Sequence, residues 1–344
     1  MTRRAWPYDA AGSSFVVDLP GPLRAALEAE LDGLSMRELG RAAEQLSRRY
    51  RADQPADLPI LGSPLATAAY LTTRMPATYA AVRQVCDRLA AARPDFRPCT
   101  MLDLGAGTGA ATWAAADAYP SLEVTHLVDS SAPALASARR MLDRSSLRVT
   151  YALDRVDQPG SWSSGGGFDL AVCGFLLGEL PSASQNAVIA GLARAAQTVA
   201  IIEPGTPAGY RRVLAARQEL IAAGRHVLAP CPHDLACPLE TTQDWCHFAV
   251  RLTRSIRHRQ AKGGERGYED EKYAYVVAAA QVPVDRANRI LRHPQVRTGH
   301  TRLMLCSTAP GIEAVTVSKR HGADYRAARD AGWGDAWPPV PPGS

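Results

Sequence analysis

The sequence contains no uninterrupted apolar run of about 18 residues, so no membrane-spanning helix and no membrane partner is expected. The opening residues Met1-Thr2-Arg3-Arg4-Ala5-Trp6-Pro7 have no apolar stretch behind them, which argues against a secretory signal. Their two arginines could imitate a transit peptide, but Asp9 and Asp18 place acid where such leaders avoid it, and the expected location is cytoplasmic. Cysteine is sparse, with 7 in 344 residues, and the net charge is only +5. Apolar side chain is plentiful: 46% of the residues are hydrophobic, enough for one large domain or two modest ones.

The small net charge is unevenly spread. Residues 206–344 carry 20 Lys and Arg against 13 Asp and Glu, whereas residues 1–205 carry 19 against 21. Seven of the eight histidines lie in the C-terminal part. A basic half joined to a near-neutral half suggests an anionic partner, nucleic acid first among them. Charge counting alone does not separate this from a solvated basic surface.

The segment Thr100-Met101-Leu102-Asp103-Leu104-Gly105-Ala106-Gly107-Thr108-Gly109-Ala110 runs from an apolar strand into a glycine-rich turn, and an alanine-rich helix follows over 111–118. Glycines let a backbone turn sharply and approach a ligand, and the helix behind them points free N–H groups into the turn. Strands expected near 122–128, 147–153, 169–175 and 198–202 alternate with helices near 132–142, 184–196 and 208–223. That rhythm predicts a parallel, doubly wound α/β sheet with its ligand at the carboxyl ends of the strands. Residues 1–95 read as a helical N-terminal extension, with helices within 21–52 and 65–93, the latter broken near Pro76. Ser35 and Glu38 have the spacing of a capping box. Residues 96–228 form the expected core, 229–335 a cysteine-rich basic part completing the fold, and 336–344 a disordered tail.

Asp103-Leu104-Gly105-Ala106-Gly107-Thr108-Gly109 resembles the first motif of class I S-adenosylmethionine (SAM) methyltransferases, a Rossmann-like fold. That resemblance implies a cofactor site of Asp103, Gly105, Gly107, Gly109, Asp129 and Asp154. Asp103 would lie near the methionine amino end, Asp129 would accept the ribose hydroxyls, and Asp154 would meet the adenine amino group. An acid at a helix N-terminus is the plainer alternative for Asp129.

Cys231, Cys237, Cys246 and Cys306 lie in the C-terminal part, two of them flanked by proline. In a cytosolic chain this argues for a metal over disulfides. Four thiolates suit zinc or an iron–sulfur cluster, and the spacing matches neither a zinc ribbon nor the tight ferredoxin run. His233 and His247 are possible further ligands. Cys86, Cys99 and Cys173 read as small buried hydrophobes.

With the SAM loop, several stretches carry a closer resemblance: Arg74-Met75-Pro76-Ala77-Thr78-Tyr79-Ala80-Ala81, Glu203-Pro204-Gly205-Thr206, Cys231-Pro232-His233, Trp245-Cys246-His247-Phe248, Tyr268-Glu269-Asp270-Glu271-Lys272-Tyr273, Cys306 and Ser318-Lys319-Arg320. Over about 65–335 the chain resembles the mitochondrial small-ribosomal-subunit assembly family called methyltransferase-like protein seventeen in animals, and its bacterial relatives. The resemblance implies a four-iron–four-sulfur cluster on Cys231, Cys237, Cys246 and Cys306, borne on a C-terminal insertion, with zinc as the alternative. It also implies a role in maturation of the small ribosomal subunit through its RNA. The first 60 residues match no motif of the family.

In that light Arg251, Arg254, Arg257, Arg259 and Lys262 become candidate RNA contacts, with Arg251, Arg254 and His258 on one expected helical face. Lys319 and Arg320, with Arg326 and Arg329, form a second basic group. The chain lacks a catalytic signature: after the fourth strand, Cys173-Gly174-Phe175-Leu176-Leu177-Gly178-Glu179-Leu180 has no Asn/Asp-Pro-Pro-aromatic motif. The reading is a SAM-binding protein acting on small-subunit ribosomal RNA. The alternatives are a non-catalytic assembly factor on the same fold and a small-molecule methyltransferase with a structural zinc site. The sequence carries no signal for an oligomeric state.

Overall fold

The structure is a computed structural model that describes residues 16–52, 59–163, 166–283, 285–309 and 311–338. The N-terminus, the loop residue Pro55 and the tail beyond residue 338 lie outside the described residues.

The chain opens with β1 (Val16–Val17), α1 (Gly21–Glu30), α2 (Met36–Ala52), α3 (Pro64–Thr73) and α4 (Met75–Ala92). The break between the last two falls at Arg74, one residue before Met75 and two before Pro76, which sits in the first turn of α4 where proline costs least. The Ser35 hydroxyl faces the Glu38 N–H at 3.5 Å, at the start of α2. Then follow β2 (Thr100–Leu104), α5 (Ala110–Ala118), β3 (Val124–Asp129), α6 (Ala132–Leu142), β4 (Arg148–Leu153), α7 (Gly160–Ser163), β5 (Phe168–Gly174), α8 (Ser182–Ala195), β6 (Ala196–Pro204) and α9 (Pro207–Ala222). The main sheet is closed by β7 (His226–Ala229), β8 (Phe248–Thr253) and β9 (Tyr268–Ala279), with α10 (Ile256–Lys262) between β8 and β9.

This sheet has nine strands in the order β1-β8-β9-β6-β5-β2-β3-β4, with β7 also paired to β9. Strands β4, β3, β2, β5 and β6 are parallel and β9 runs against β6. Five parallel strands reversing order at β2, followed by an antiparallel one, make a class I methyltransferase-like α/β fold. The central strands β2 and β5 are buried on both faces because helices cover both, whereas the edge strand β4 has no buried residue. Leu170 and Val172 enter the core beneath α4 and α5, while Ala171 and Cys173 enter the core beneath α8 and α9.

The N-terminal helices pack on the α/β core: Leu23, Leu27 and Leu39 share one buried cluster with Met101 and Leu127, and β1 pairs with β8. The C-terminal part divides in two. Its first strands extend the main sheet, and β10 (Asn288–Ile290), β11 (Gln295–Arg297), β12 (His300–Cys306), β13 (Ile312–Ser318) and β14 (Ala336–Trp337) form a second, five-stranded sheet with α11 (Ala323–Asp330). Ala336 and Trp337, expected in a disordered tail, are ordered in β14. Trp337 is 9% exposed and joins Leu303, Leu305 and Tyr325 in a small core. One buried indole outweighs the loop-like composition around it.

Candidate functional site

A cleft of about 730 Å³ opens at the carboxyl ends of the parallel strands, on the side where β2 has β3 and β5 as its two neighbours. Gly105 and Gly107 line it, with φ values of 69° and 53° that side-chained residues rarely adopt. A Cβ on Gly105 would stand 2.8 Å from the Leu176 side chain, whereas a Cβ on Gly107 would meet only Leu61, at 3.7 Å. The loop at Gly107 therefore offers bare backbone to the cleft. Asp129, ending β3, accepts the Gly107 N–H on Oδ2 and the Ser131 N–H on Oδ1, both at 2.7 Å. The carboxylate is thereby fixed with lone pairs to spare.

The other expected cofactor residues stand apart from this wall. Asp103 is 1% exposed and accepts the Thr112 N–H and hydroxyl at 3.0 and 2.8 Å, tying β2 to α5 behind the loop. Gly109 starts α5 and faces Leu142, not the cleft. Asp154 accepts the N–H of Arg155, and Val156 lines the cleft in its place.

The cleft floor is rich in carboxyl groups crowded into low dielectric. Burial, with Asp129 and Glu203 close by, pushes Glu179 up to about 8. Asp129 is also raised by burial, and behind the loop burial pushes Asp103 up to about 7 against its two Thr112 hydrogen bonds. Glu203 is satisfied: it takes the Leu177 N–H at 2.9 Å and the Arg212 guanidinium at 2.6 Å. Phe175, at φ 59°, follows β5 over this floor, where nucleic-acid amino-methyltransferases carry their proline-rich motif.

The roof comes from residues with no sequence signal. Ser47, Arg49, Tyr50 and Arg51 of α2 line the cleft, and the Arg74 guanidinium sits 5.3 Å from the Tyr50 ring centre. The Ser131 hydroxyl donates to the Leu61 carbonyl at 2.7 Å, which fastens this roof to the β3 loop.

The four C-terminal cysteines converge. Cys231, Cys237, Cys246 and Cys306 line one small cavity of about 40 Å³ with Tyr210, Val213, Leu214 and Arg217 of α9 and with Arg289. Burial and the neighbouring thiols hold Cys246 well above the usual thiol range, and burial pushes Cys306 up to about 12. Among the described residues, no three His, Cys, Asp or Glu side chains are close enough to share one metal ion. Arg217 is 4% exposed and donates to the carbonyls of His233 and Leu235, fixing the loop between the first two cysteines. An arginine in the apolar series Tyr210, Val213, Leu214, Leu220 was the sequence signal for this buried cation. Trp245 donates its indole N–H to the Gly205 carbonyl at 3.0 Å, linking the cysteine segment to the cleft rim. His233 is buried with both ring nitrogens unpartnered among the described residues, and His247 packs between Trp245 and Trp333. Cys86 and Cys173 are buried as expected, but Cys99 is exposed, because it precedes β2 at the sheet's rim.

The expected helical face is broken: Arg257, His258, Arg259 and Lys262 lie in α10, but Arg251 and Arg254 precede it. Arg251 lies in β8, whose Phe248, Val250 and Leu252 alternate inward with the period of a strand. Arg251 forms two bonds with Asp270, at 2.7 and 3.0 Å, and stacks 4.1 Å from the Tyr268 ring centre. Arg254 and Lys262 both donate to Glu269, and the His258 ring nitrogen lies 2.9 Å from the same carboxylate, off the hydrogen-bond direction. Arg257 donates to the Leu31 carbonyl, and the Arg259 Nε is buried without a hydrogen-bond partner among the described residues. Lys319 and Arg320, in a 3-10 turn after β13, are exposed.

A family model described as mitochondrial small ribosomal subunit Rsm22 matches residues 64–338. The chain is 32% identical over 294 residues to the mitochondrial ribosome assembly protein METTL17 of Homo sapiens, covering 79% of this chain and 62% of that protein. It is 25% identical over 180 residues to the mitochondrial Rsm22-cox11 tandem protein 2 of Schizosaccharomyces pombe, covering 40% and 24%. The chain thus spans less than two-thirds of the length of these curated relatives. Among solved structures it is similar to a magnesium protoporphyrin IX methyltransferase from Synechocystis with bound SAM, at 13% identity and TM-score 0.39 over 75% of this chain and 97% of that one. An O-methyltransferase family protein from Burkholderia thailandensis gives 14% and 0.41, covering 75% and 71%. Scores this low carry no argument about function. The family match covers most of the chain, and this protein belongs to the Rsm22 family.

Proposed function

We propose that this chain is a SAM-binding, iron–sulfur, methyltransferase-like protein that acts on small-subunit ribosomal RNA during assembly of the small ribosomal subunit. The observation that carries the SAM reading is Asp129: a carboxylate fixed by two backbone N–H groups at the end of β3, facing bare glycine backbone. An acceptor pair suits a ribose diol, and the raised carboxyls of the cleft floor favour a ligand that brings positive charge, as a sulfonium does.

Cys231, Cys237, Cys246 and Cys306 would hold the cluster. When bound, it would supply a covalent staple across the α9 side of the main domain and β12. Four thiols lining one cavity supply the ligand number of either a cluster or a tetrahedral zinc, and iron and sulfide analysis separates the two. Arg217 and Arg289 beside Cys231 offset the negative charge that four thiolates bring.

A second reading, an assembly factor that binds SAM and RNA without transferring a methyl group, is favoured by the segment after β5. It offers Phe175 and Glu179 where an active amino-methyltransferase would offer its motif.

Calorimetry with SAM on wild type and Gly107→Val tests the cleft, with binding expected only in the wild type; equal affinities would reject the loop. Anaerobic purification with iron and sulfide analysis tests the cavity: iron is expected in wild type and Cys173→Ser and lost in Cys306→Ser. Stoichiometric zinc without sulfide would reject the cluster. Mapping modified nucleotides in ribosomal RNA from a deletion strain separates the two readings, since an unchanged map supports the non-catalytic one.

A further inference from the structure

We propose that the open face of the smaller sheet, carrying Arg297, His300 and Arg302 with the adjoining Lys319 and Arg320, docks the phosphate backbone of double-stranded RNA. This rests on the RNA reading above and says where the RNA lies and which feature of it is recognised.

Side chains alternate along β12. Thr301, Leu303 and Leu305 are buried, and the two leucines pack with Val317, Tyr325 and Ala328 in the small core. His300, Arg302, Met304 and Cys306 take the opposite face. Met304 and Cys306 pack against the main domain, so that end of the face is covered. The other end is open. Register sets Arg297 opposite His300 and Gln295 opposite Arg302 on one side, with Ser318 and Thr316 opposite them on the other. All but Ser318 are exposed, and Ser318 is partly so. The Lys319 N–H donates to the Gly299 carbonyl at 3.0 Å, which sets Lys319 and Arg320 beside the turn between β11 and β12.

Arg297, Arg302, Lys319 and Arg320 lack carboxylate partners among the described residues. Residues 295–330 hold 6 Lys and Arg against 3 Asp and Glu, namely Glu313, Asp324 and Asp330. Glu313 pairs in register with Leu305 at the covered end and is held by the Ser307 hydroxyl. Neighbouring strands stand about 5 Å apart and alternate residues about 7 Å apart, so the cations form a two-dimensional grid. The face bears no Phe, Tyr or Trp on which unpaired bases could stack, which disfavours single strands. It also lacks the central aromatic or aliphatic anchor of a protein interface. Phosphate charge is what this face can recognise, and a duplex presents it most densely.

The test is fluorescence anisotropy of the full chain with a duplex RNA of about 16 base pairs, a single strand of equal length and polyglutamate, across a salt series. Wild type should prefer the duplex with little regard to its sequence. R297E/R302E and K319E/R320E should each weaken duplex binding about tenfold or more and reduce the slope of log affinity against log salt by about 2. Their melting temperatures should match wild type, and R302Q alone should give a smaller loss of the same kind. Unchanged affinity and slope in both double variants would overturn the surface while leaving the RNA reading intact. No RNA affinity in wild type would reject that reading and the surface with it. Preference for the single strand would overturn duplex recognition, and tighter binding of polyglutamate would reassign the face to an acidic protein.

Discussion

Two basic stretches of this chain look alike on paper and differ in the fold. Residues 251–262 hold Arg251, Arg254, Arg257, Arg259 and Lys262, and residues 297–320 hold Arg297, Arg302, Lys319 and Arg320. Three of the first set are compensated internally: Asp270 on β9 holds Arg251 and Glu269 holds Arg254 and Lys262, while Arg257 donates to the Leu31 carbonyl, and the side chains of Arg251 and Arg254 are about 15% exposed. The second set has no opposing acidic strand and points outward. Positive charge becomes a binding surface only where the fold leaves it uncompensated, so the same residue types do structural work in one sheet and face solvent in the other.

The difference can be tested by removing partners. Glu269→Ala should have the largest effect, since it leaves Arg254, Lys262 and His258 facing each other without their shared anion. A loss of about 3 kcal/mol is expected in urea unfolding; a loss under about 1 kcal/mol would mean that the cluster is too well solvated to matter. Charge reversal at Arg254 comes next. It should lower stability by about 2 kcal/mol and leave the salt slope of RNA binding unchanged; a reduced slope with intact stability would move the RNA surface to this hairpin.

Acidification probes the same cluster. Burial alone would raise the Glu269 carboxyl, but His258 and Lys262 hold it far below the ordinary value of 4.5. A depressed carboxyl contributes stability that is complete above the unfolded value and is lost as pH falls below it. His258 is lowered from 6.5 by burial, so its contribution also fades below that value. Wild type should therefore lose more stability than Glu269→Ala as pH falls below 4.5 in paired denaturant titrations, and parallel curves there would remove the cluster from the acid response. Arg251→Lys should cost about 1 kcal/mol, through loss of the two-bond geometry to Asp270 and of the Tyr268 stack. The smallest effect is expected at the open set: Arg297→Ala or Arg302→Ala should change stability by less than about 0.5 kcal/mol.

Much of the core was readable because its signals are local. The strand Thr100–Leu104 and the helix Ala132–Leu142 lie where expected. Apolar runs closed by glycine or acid and helices opened by Ser131 or Thr206 need only nearby neighbours. The second sheet was not legible. Its strands β10 and β11 have three residues each, too short for periodicity, and are fixed by pairing with β12 and β14. Arg251 and Arg254 were misread as helical because their spacing with His258 also fits a helix, while the acids that occupy them come from β9.

The sequence by itself determined the glycine turn, the acid after the second parallel strand, the cysteine set and the family, since each is a matter of residue type at short spacing. Only the tertiary structure decided that Asp103 faces Thr112 and not the cleft, that α2 and Leu61 roof it, and that Cys306 meets three cysteines from distant segments. It also decided which arginines remain free. The physical reason is the same in each case: burial, solvation and charge compensation depend on what lies across the gap, and what lies across the gap is set by chain closure over long sequence distances.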